Sequence, residues 1–265
     1  MTALILIAGH STRMGRDKSL ITRPDGLRQI DHLVAITRAA GLDPLLSMRD
    51  DGSPPPLELP LIRDRHPGAG PLAALDAFHI SRPGVPVLLI GGDHFLLDEA
   101  TLGVLLDGRD PARAATAFAN RLDGQPEPLC AIFEASAIPQ ASAWLARGEP
   151  RARHFLRSLD PKVLDLPHPA ALDNVNTPAD LDEAFAKLMH GVVPKTVNLE
   201  HPHFSGSFDT LACTIGGLFA ELSFSLRLAP ETSGFQPALD GQPVPWQQPI
   251  TAGSSVAFLA ASSTR

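Results

Sequence analysis

An apolar run close to the N-terminus leads directly into a basic loop that contains glycine. Leu4 to Ile7 is typical of a buried strand, and the loop that follows extends to Lys18. Gly9 and Gly15 permit backbone conformations that a Cβ would block, so peptide N–H groups can turn toward an anion, and Arg13 adds positive charge. The pattern predicts a strand that opens onto a phosphate-binding loop for a nucleoside triphosphate. The alternative is an ordinary strand-to-helix turn with solvated basic residues.

The charge balance limits the kinds of partner that this chain can bind. Its 265 residues include 22 Lys and Arg against 29 Asp and Glu, a formal net charge of −7, which argues against a surface devoted to nucleic acid or anionic membrane. Cys130 and Cys213 have no ligand-like spacing and predict neither a disulfide framework nor a zinc site. No apolar segment has the length of a membrane span, and no secretory signal pattern is present. We therefore expect a soluble cytoplasmic protein whose phosphate contacts are local.

Strand-like and helix-like segments alternate over residues 1–190, which predicts an α/β domain with a parallel sheet covered by helices on both faces. The predicted strands are 4–7, 44–47, 85–90 and 114–119. The predicted helices are 29–40, 70–79, 98–106, 139–147, 151–159 and 178–189. Thr177 as cap and Pro178 in the first turn begin the last helix, which we expect to close the first domain.

The composition changes after Pro194, because carboxylates become fewer while Ser and Phe become more frequent. This change predicts a second domain over residues 195–265. Its predicted strands are 195–199, 211–214, 236–239 and 255–259, and its predicted helix is 215–222. One helix against a small mixed sheet follows from that order.

A second apolar run, Val87 to Ile90, ends in Gly91-Gly92-Asp93. The ligand crevice of an open α/β sheet lies beyond the carboxyl ends of its strands, so Asp93 should point to the same edge as the phosphate loop. A carboxylate there can bind Mg²⁺, which takes one or two protein carboxylates together with phosphate oxygens. The alternative is a turn or helix N-cap aspartate.

Asp64 precedes a Gly/Pro turn and a helix, and it is a candidate for reading a base. One carboxylate can accept hydrogen bonds from the adjacent N1 and N2 donors of guanine, a pair that cytosine lacks. Asp64 in this role favours GTP, whereas a local turn remains the alternative.

Asn174 and Asn176 alternate along a chain that we expect to be extended, so their side chains should point the same way. Amides placed together can bind metal, phosphate or a heterocycle, and we predict that both asparagines bind substrate. The alternative is an asparagine-rich turn ahead of a helix cap.

Together these segments resemble the molybdenum cofactor guanylyltransferases, which are similar to other nucleotide-sugar and pterin nucleotidyltransferases. The matching residues occur in order over about the first 190 positions: Ala8-Gly9, Arg13-Met14-Gly15, Asp17-Lys18, Asp64, Gly70 to Ala73, Asp93, Pro128 to Ala131, Gly148-Glu149 and Asn174 to Pro178. The resemblance implies a Rossmann-like three-layer fold with a mostly parallel sheet. It also implies Mg²⁺-dependent transfer of GMP from GTP to the phosphate of molybdenum–molybdopterin, which gives molybdopterin guanine dinucleotide and pyrophosphate.

The resemblance also assigns roles to individual residues. The nucleotide-binding set that it implies is Ile7, Ala8, Gly9, Lys18, Asp64 and Asp93. Asp93 would also bind the metal, and Arg13, Lys18 and Asp93 would form the catalytic set. Because the acceptor phosphate attacks the α-phosphorus in line, catalysis should depend on positioning and charge neutralisation, and we nominate no general base.

Two positions depart from the family pattern. His10 occupies the place of a second loop glycine, and a side chain there could crowd the phosphate or restrict the turn. His94-Phe95 replaces the methionine or threonine and the proline that ordinarily follow the metal aspartate.

The second domain resembles the small sulfur-carrier subunit of molybdopterin synthase, a ubiquitin-like β-grasp module. The matching residues are Thr214 to Leu218, Ala220 to Leu222, Ala238 to Gly241, Trp246, Pro249-Ile250 and Gly253 to Leu259. That family ends in Gly-Gly, whereas this sequence ends in Ser262-Ser263-Thr264-Arg265. We therefore expect a docking or stabilising module, with the large molybdopterin synthase subunit or another cofactor-assembly protein as its partner.

Two alternatives remain open at the level of function. The chain could be a catalytically weak scaffold that docks through its second domain. It could also be a cytidylyltransferase of the same fold, although Asp64 and the Arg13-Met14-Gly15 loop weigh against CTP.

Overall fold

The computed structural model of the chain describes residues 1–7, 17–49, 55–66, 68–228 and 232–260. Several residues singled out from the sequence lie outside this part: Ala8, Gly9, His10, Arg13, Met14, Gly15 and Ser262 to Arg265. The chain divides into two compact units, Met1–Asn174 and Val175–Arg265. In the described part, no helix combines the length and the apolar character needed to cross a membrane.

A seven-stranded sheet forms the centre of the described first unit. Its strands are β1 (Thr2–Ile7), β2 (Asp43–Met48), β3 (Leu61–Arg63), β4 (Val87–Gly91), β5 (Ala115–Ala119), β6 (Pro126–Phe133) and β7 (Lys162–Leu164). Their order is β3-β2-β1-β4-β6-β5-β7. Strand β1 is parallel to β2 and β4, whereas β6 is antiparallel to both of its neighbours. The carboxyl ends of β1, β2 and β4 therefore share one edge of the sheet.

Helices cover both faces of this sheet. They are α1 (Gln29–Ala39), α2 (Pro71–Ser81), α3 (Glu99–Asp107), α4 (Ile138–Ala146) and α5 (Ala152–Ser158). Ile5 and Ile90 pack in one apolar cluster with residues of α1 and α3. Their neighbours Leu4 and Leu89 pack in a second cluster with α2, α4 and α5. Since successive side chains of a strand point to opposite faces of the sheet, these apolar runs pack against the helices on both faces.

Strand β6 was not predicted, because prolines are unfavourable in central strands. Pro126 is its first residue, and the register with β5 shifts between Ala117 and Ala119. Pro128 lies in the stretch of β6 opposite that shift, before the regular pairing with β4 begins at Cys130. A local irregularity thus accommodates a residue that has no N–H to donate. The short edge strands β3 and β7 were missed as well.

The second unit contains a five-stranded mixed sheet. Its elements are α6 (Pro178–His190), β8 (Lys195–His201), β9 (Phe204–Thr210), α7 (Ile215–Ser225), β10 (Phe235–Leu239), β11 (Gln242–Pro243) and β12 (Ser255–Ala260). The strand order is β11-β10-β12-β8-β9, and β8 and β12 pair in parallel. The prediction of a strand at 211–214 was wrong. Those residues instead lead into α7, where the Thr214 side chain accepts the Gly217 N–H as an N-cap.

Helix α6 packs on α7 through a buried carboxylate. Glu183 accepts the N–H groups of Cys213 and Thr214, both at 2.8 Å, and the Thr214 hydroxyl at 2.7 Å. Its other contact is the buried ammonium of Lys187, 3.1 Å away. These contacts group α6 with the second unit, whereas we expected it to close the first domain. The domain limits 1–190 and 195–265 remain a prediction from the sequence.

Candidate functional site

A cleft opens where β1, β2 and β4 end. Its described lining comes from segments that are distant in the sequence: Leu6, Ile7, Lys18, Ser19, Ser47, Arg49, Asp64, Gly70, Pro71, Gly91, Gly92, Asp93 and Leu129. Four of the predicted site residues, Ile7, Lys18, Asp64 and Asp93, therefore meet in one cleft. The remaining members of the predicted nucleotide-binding set lie outside the described residues.

Two glycines allow Asp93 its position at the end of β4. The Gly92 N–H donates to the carbonyl of Leu6 at 3.0 Å, and a Cβ on Gly92 would lie 2.5 Å from the same oxygen. A Cβ on Gly91 would lie 2.6 Å from Oδ1 of Asp93. Gly91 thus leaves room for the Asp93 carboxylate, and Gly92 lets the end of β4 lie close to β1.

The residues after Asp93 are interior residues. His94 and Phe95 are both fully buried, and neither ring nitrogen of His94 has a hydrogen-bond partner among the described residues. The departure from the family pattern at these two positions therefore changes the packing behind the turn rather than the described lining of the cleft.

Lys18 enters the cleft from a 3₁₀ turn at Lys18–Leu20. Asp17 caps this turn, because its Oδ1 accepts the Ser19 N–H at 2.9 Å and the Ser19 hydroxyl at 2.7 Å. Lys18 is only 8% exposed. Lys18 therefore brings a largely buried positive charge to the lining of the cleft.

Asp64 lies at the end of β3, where its N–H donates to the carbonyl of Met48 at 2.9 Å. The Ser47 hydroxyl donates to Oδ1 of Asp64 at 2.9 Å. Burial raises the pKa of the Asp64 carboxyl, and the Ser47 hydrogen bond and the positive charge of Arg49 partly oppose that rise. Sequence reasoning missed Ser47 and Arg49. The one feature of the sequence that could have indicated these two residues is their location at or just after the carboxyl end of a predicted strand.

The two asparagines are not among the described residues that line the cleft. Asn174 is exposed, and its backbone pairs with that of His94 in an isolated antiparallel bridge, beside the turn that carries Asp93. Asn176 belongs to the second unit, where its N–H donates to Asp180 at 2.9 Å. The predicted N-cap at Thr177 is confirmed, since Thr177 and Asp180 form a capping box at the start of α6.

Comparison with known proteins decides the family. Residues 3–163 match the model of the MobA-like NTP transferase domain. The "probable molybdenum cofactor guanylyltransferase" of Mycobacterium ulcerans is 31% identical over 192 residues, which cover 68% of this chain and 91% of that protein. The chain belongs to the molybdenum cofactor guanylyltransferase family. It is therefore a nucleotidyltransferase, as the sequence predicted.

A second relative agrees with this assignment, and a solved structure has the same fold. The protein of the same name from Carboxydothermus hydrogenoformans is 30% identical over 191 residues, which cover 69% of this chain and 94% of that protein. The crystal structure of molybdopterin-guanine dinucleotide biosynthesis protein A from Archaeoglobus fulgidus has a TM-score of 0.59 at 20% identity, over 71% of this chain and 99% of that chain. This likeness confirms the predicted three-layer α/β nucleotidyltransferase fold with its mostly parallel sheet.

Proposed function

We propose that the protein transfers GMP from GTP to the phosphate of molybdenum–molybdopterin, giving molybdopterin guanine dinucleotide and pyrophosphate. The observation that carries this proposal is the meeting of Lys18, Asp64 and Asp93 in one cleft at the carboxyl edge of the family's sheet.

Guanine recognition is assigned to Asp64. An ionised carboxylate accepts the N1 and N2 hydrogens of guanine together, whereas cytosine has no such pair. The hydrogen bond from Ser47 fixes one oxygen of that carboxylate, so the group is oriented before the base arrives. Arg49 also lines this part of the cleft, and a guanidinium there suits the acceptor edge of guanine.

Magnesium fits the residues that line the cleft. Asp64 and Asp93 are its described carboxylates, and the described chain contains no group of three or more His, Cys, Asp or Glu able to hold a metal. This composition suits a cation that takes one or two protein carboxylates and completes its shell with phosphate oxygens and water. We assign Asp93 as the ligand. When bound, the ion neutralises phosphate charge and aligns the groups for an in-line displacement.

Lys18 supplies positive charge to the phosphates of the nucleotide. We assign the same role to Arg13 on the basis of the sequence. An acceptor phosphate oxygen forms the new bond to the α-phosphorus as the bond to the β-phosphate breaks and pyrophosphate departs. The attacking oxygen is already anionic, so no base is needed to activate it. Asn174 and Asn176 are proposed to contact the acceptor. The backbone bridge between Asn174 and His94, the residue after Asp93, supports this role for Asn174.

For the second unit we propose a ubiquitin-like β-grasp fold and a docking role toward the large molybdopterin synthase subunit or another cofactor-assembly protein. Its first and last strands, β8 and β12, are adjacent and parallel, and their antiparallel partners β9 and β10 flank them. Helix α7 packs its apolar side into the core of that sheet. Co-purification with that subunit should be lost when the chain is shortened to end at Asn174, and unchanged binding would contradict the docking role.

Calorimetric titration tests the catalytic proposal first. GTP and CTP are each added, with Mg²⁺ or with EDTA, to the intact chain and to Asp93→Asn. We expect GTP-selective binding that Mg²⁺ strengthens, and a loss of about tenfold or more of that metal-dependent gain in Asp93→Asn. Pyrophosphate release with molybdenum cofactor as acceptor then reports transfer. Selective CTP binding would favour the cytidylyltransferase alternative, and binding of neither nucleotide would favour the scaffold.

A further inference from the structure

The turn that carries Asp93 is held by three side chains from one other segment. In the loop between β4 and α3, the carbonyls of His94, Phe95 and Leu97 each accept a side-chain hydrogen bond. The donors are Gln29 Nε2 to His94 at 3.0 Å, Arg23 Nη1 to Phe95, and His32 Nε2 to Leu97 at 2.8 Å. We call these three donors the carbonyl clamp.

Two of the three clamp donors are buried and hydrogen-bonded to each other, and the third, His32, is half-buried. The Arg23 side chain is 4% exposed and Gln29 is fully buried. Nη1 of Arg23 also donates to Oε1 of Gln29 at 3.1 Å, and Nε of Arg23 pairs with Asp25 at 3.0 Å. Because a buried carbonyl that loses its donor is costly, each clamp bond constrains the loop strongly. The orientation of Asp93 at the start of this loop is therefore coupled to the clamp.

The clamp residues follow Lys18 closely in the chain, and backbone bonds fasten the intervening segment. The Gln29 N–H donates to the carbonyl of Ile21 at 2.9 Å, and the Arg23 N–H donates to that of Leu27 at 2.8 Å. Ile21 in turn donates to the carbonyl of Lys18 at 3.2 Å. One fastened segment thus supports both Lys18, which lies in the cleft, and the donors that hold the Asp93 loop.

We propose that Arg23, Gln29 and His32 are positioning residues that fix the separation between the Asp93 carboxylate and the Lys18 ammonium for a magnesium-bound triphosphate. This inference rests on the proposed function, in which Asp93 binds the metal and Lys18 binds phosphate. A clamp that only stabilised the fold would change the unfolding temperature and leave the magnesium dependence of nucleotide binding unaltered.

The test measures GTP affinity by calorimetry over a range of Mg²⁺ concentrations and again in EDTA, with thermal unfolding of every variant. Gln29→Met removes the donor at similar length, and Arg23→Lys keeps the charge but loses the planar fork. We expect the Mg²⁺ concentration for half-maximal strengthening of GTP binding to rise about tenfold or more in both. Affinity for GTP in EDTA should stay close to that of the unaltered chain.

Matched variants control for the substitutions themselves. Arg28→Lys makes the same change five residues away, where Arg28 pairs with Asp31 on the surface of α1, and it should retain the original Mg²⁺ dependence. His32→Gln keeps a side-chain donor for the Leu97 carbonyl and should also retain the original Mg²⁺ dependence of GTP binding. His32→Leu removes the donor and should raise the Mg²⁺ concentration that GTP binding requires.

The outcomes separate the two claims. Lower unfolding temperatures with an unchanged Mg²⁺ dependence in Gln29→Met, Arg23→Lys and His32→Leu would overturn the clamp. An unchanged Mg²⁺ dependence in Asp93→Asn would instead overturn the proposed function on which the clamp rests. Should Arg23→Lys fail to fold, the Gln29 and His32 variants decide the matter.

Discussion

At the scale of single residues, the cleft carboxylates were predictable and their supporting side chains were not. Asp93 follows an apolar run and two glycines, so its position in the sequence indicated the edge of the sheet. Asp64 was a candidate because it precedes a Gly/Pro turn and a helix. Nothing in the local sequence separates the buried polar residues Arg23 and Gln29 from ordinary surface residues. Their burial depends on a loop more than sixty residues away. Such side chains become recognisable only when tertiary contacts are known.

Asp64 makes GTP binding sensitive to pH. Burial raises the pKa of its carboxyl, so lowering the pH protonates Asp64 before it would protonate an ordinary aspartate. The protonated group no longer accepts both guanine hydrogens, and GTP affinity should therefore fall as the pH drops through that raised pKa and recover above it. Calorimetry over a pH series measures this. Asp64→Asn should bind GTP more weakly and lose this part of the pH profile, so an identical profile in both proteins would contradict the assignment.

Gly92 is restricted by space rather than by backbone dihedral angle. A Cβ there would lie 2.5 Å from the Leu6 carbonyl oxygen, which is backbone of a central strand and cannot move aside cheaply. Gly92→Ala should lower the free energy of unfolding by about 1–3 kcal/mol and weaken nucleotide binding. Gly103→Ala in α3 has no atom within 4 Å of the new Cβ, and it should be neutral or stabilising by up to about 1 kcal/mol. Chemical denaturation of both variants compares them, and equal losses would refute the argument.

At the scale of elements, amphipathic helices and apolar strands were predictable, whereas strands with atypical composition were not. Strand β9 contains Ser205, Gly206 and Ser207, which are poor strand formers, and it lies at the edge of its sheet. It forms because β8 offers a complete antiparallel register from Lys195 to His201. Pairing with a well-formed neighbour therefore overrides weak local preference.

The junction of α6 and α7 provides a test at this scale. Glu183→Gln leaves the buried Lys187 without its carboxylate and turns an amide N–H₂ toward the donors at the start of α7. Removing one partner of a buried ion pair costs about 3–5 kcal/mol, and we expect a loss of this order in the stability of the second unit. Asp182→Asn is the control on the same helix, because the half-buried Asp182 carboxylate contacts only the Gln247 amide among the described residues and should change stability little. Denaturant unfolding followed by the fluorescence of Trp246 reports the second unit when Trp144→Phe, which removes the tryptophan of the first unit, is present in every variant. A loss no larger than that of the control would show that the pair is dispensable.

At the scale of the whole molecule, the order of segments predicted the three-layer fold, but composition did not locate the division into compact units. The composition changes after Pro194, while the contacts divide the chain between Asn174 and Val175. Helix α6 lies between these two positions, and its composition is like that of the preceding helices. One buried residue, Glu183, joins it to the start of α7. Long-range contacts of this kind leave no trace in a composition profile.

This division predicts which part of the chain suffices for nucleotide binding. Every described residue that lines the cleft lies within Met1–Asn174, so a chain ending at Asn174 should keep Mg²⁺-dependent GTP affinity within about tenfold of the intact protein if its fold persists. It should lose transfer to molybdenum cofactor more severely, because Asn176, one of the proposed acceptor ligands, is removed. Circular dichroism checks the fold, calorimetry measures binding, and Asp93→Asn in the shortened chain confirms that the same site is measured. A folded shortened chain that no longer binds GTP would show that the nucleotide site depends on the second unit.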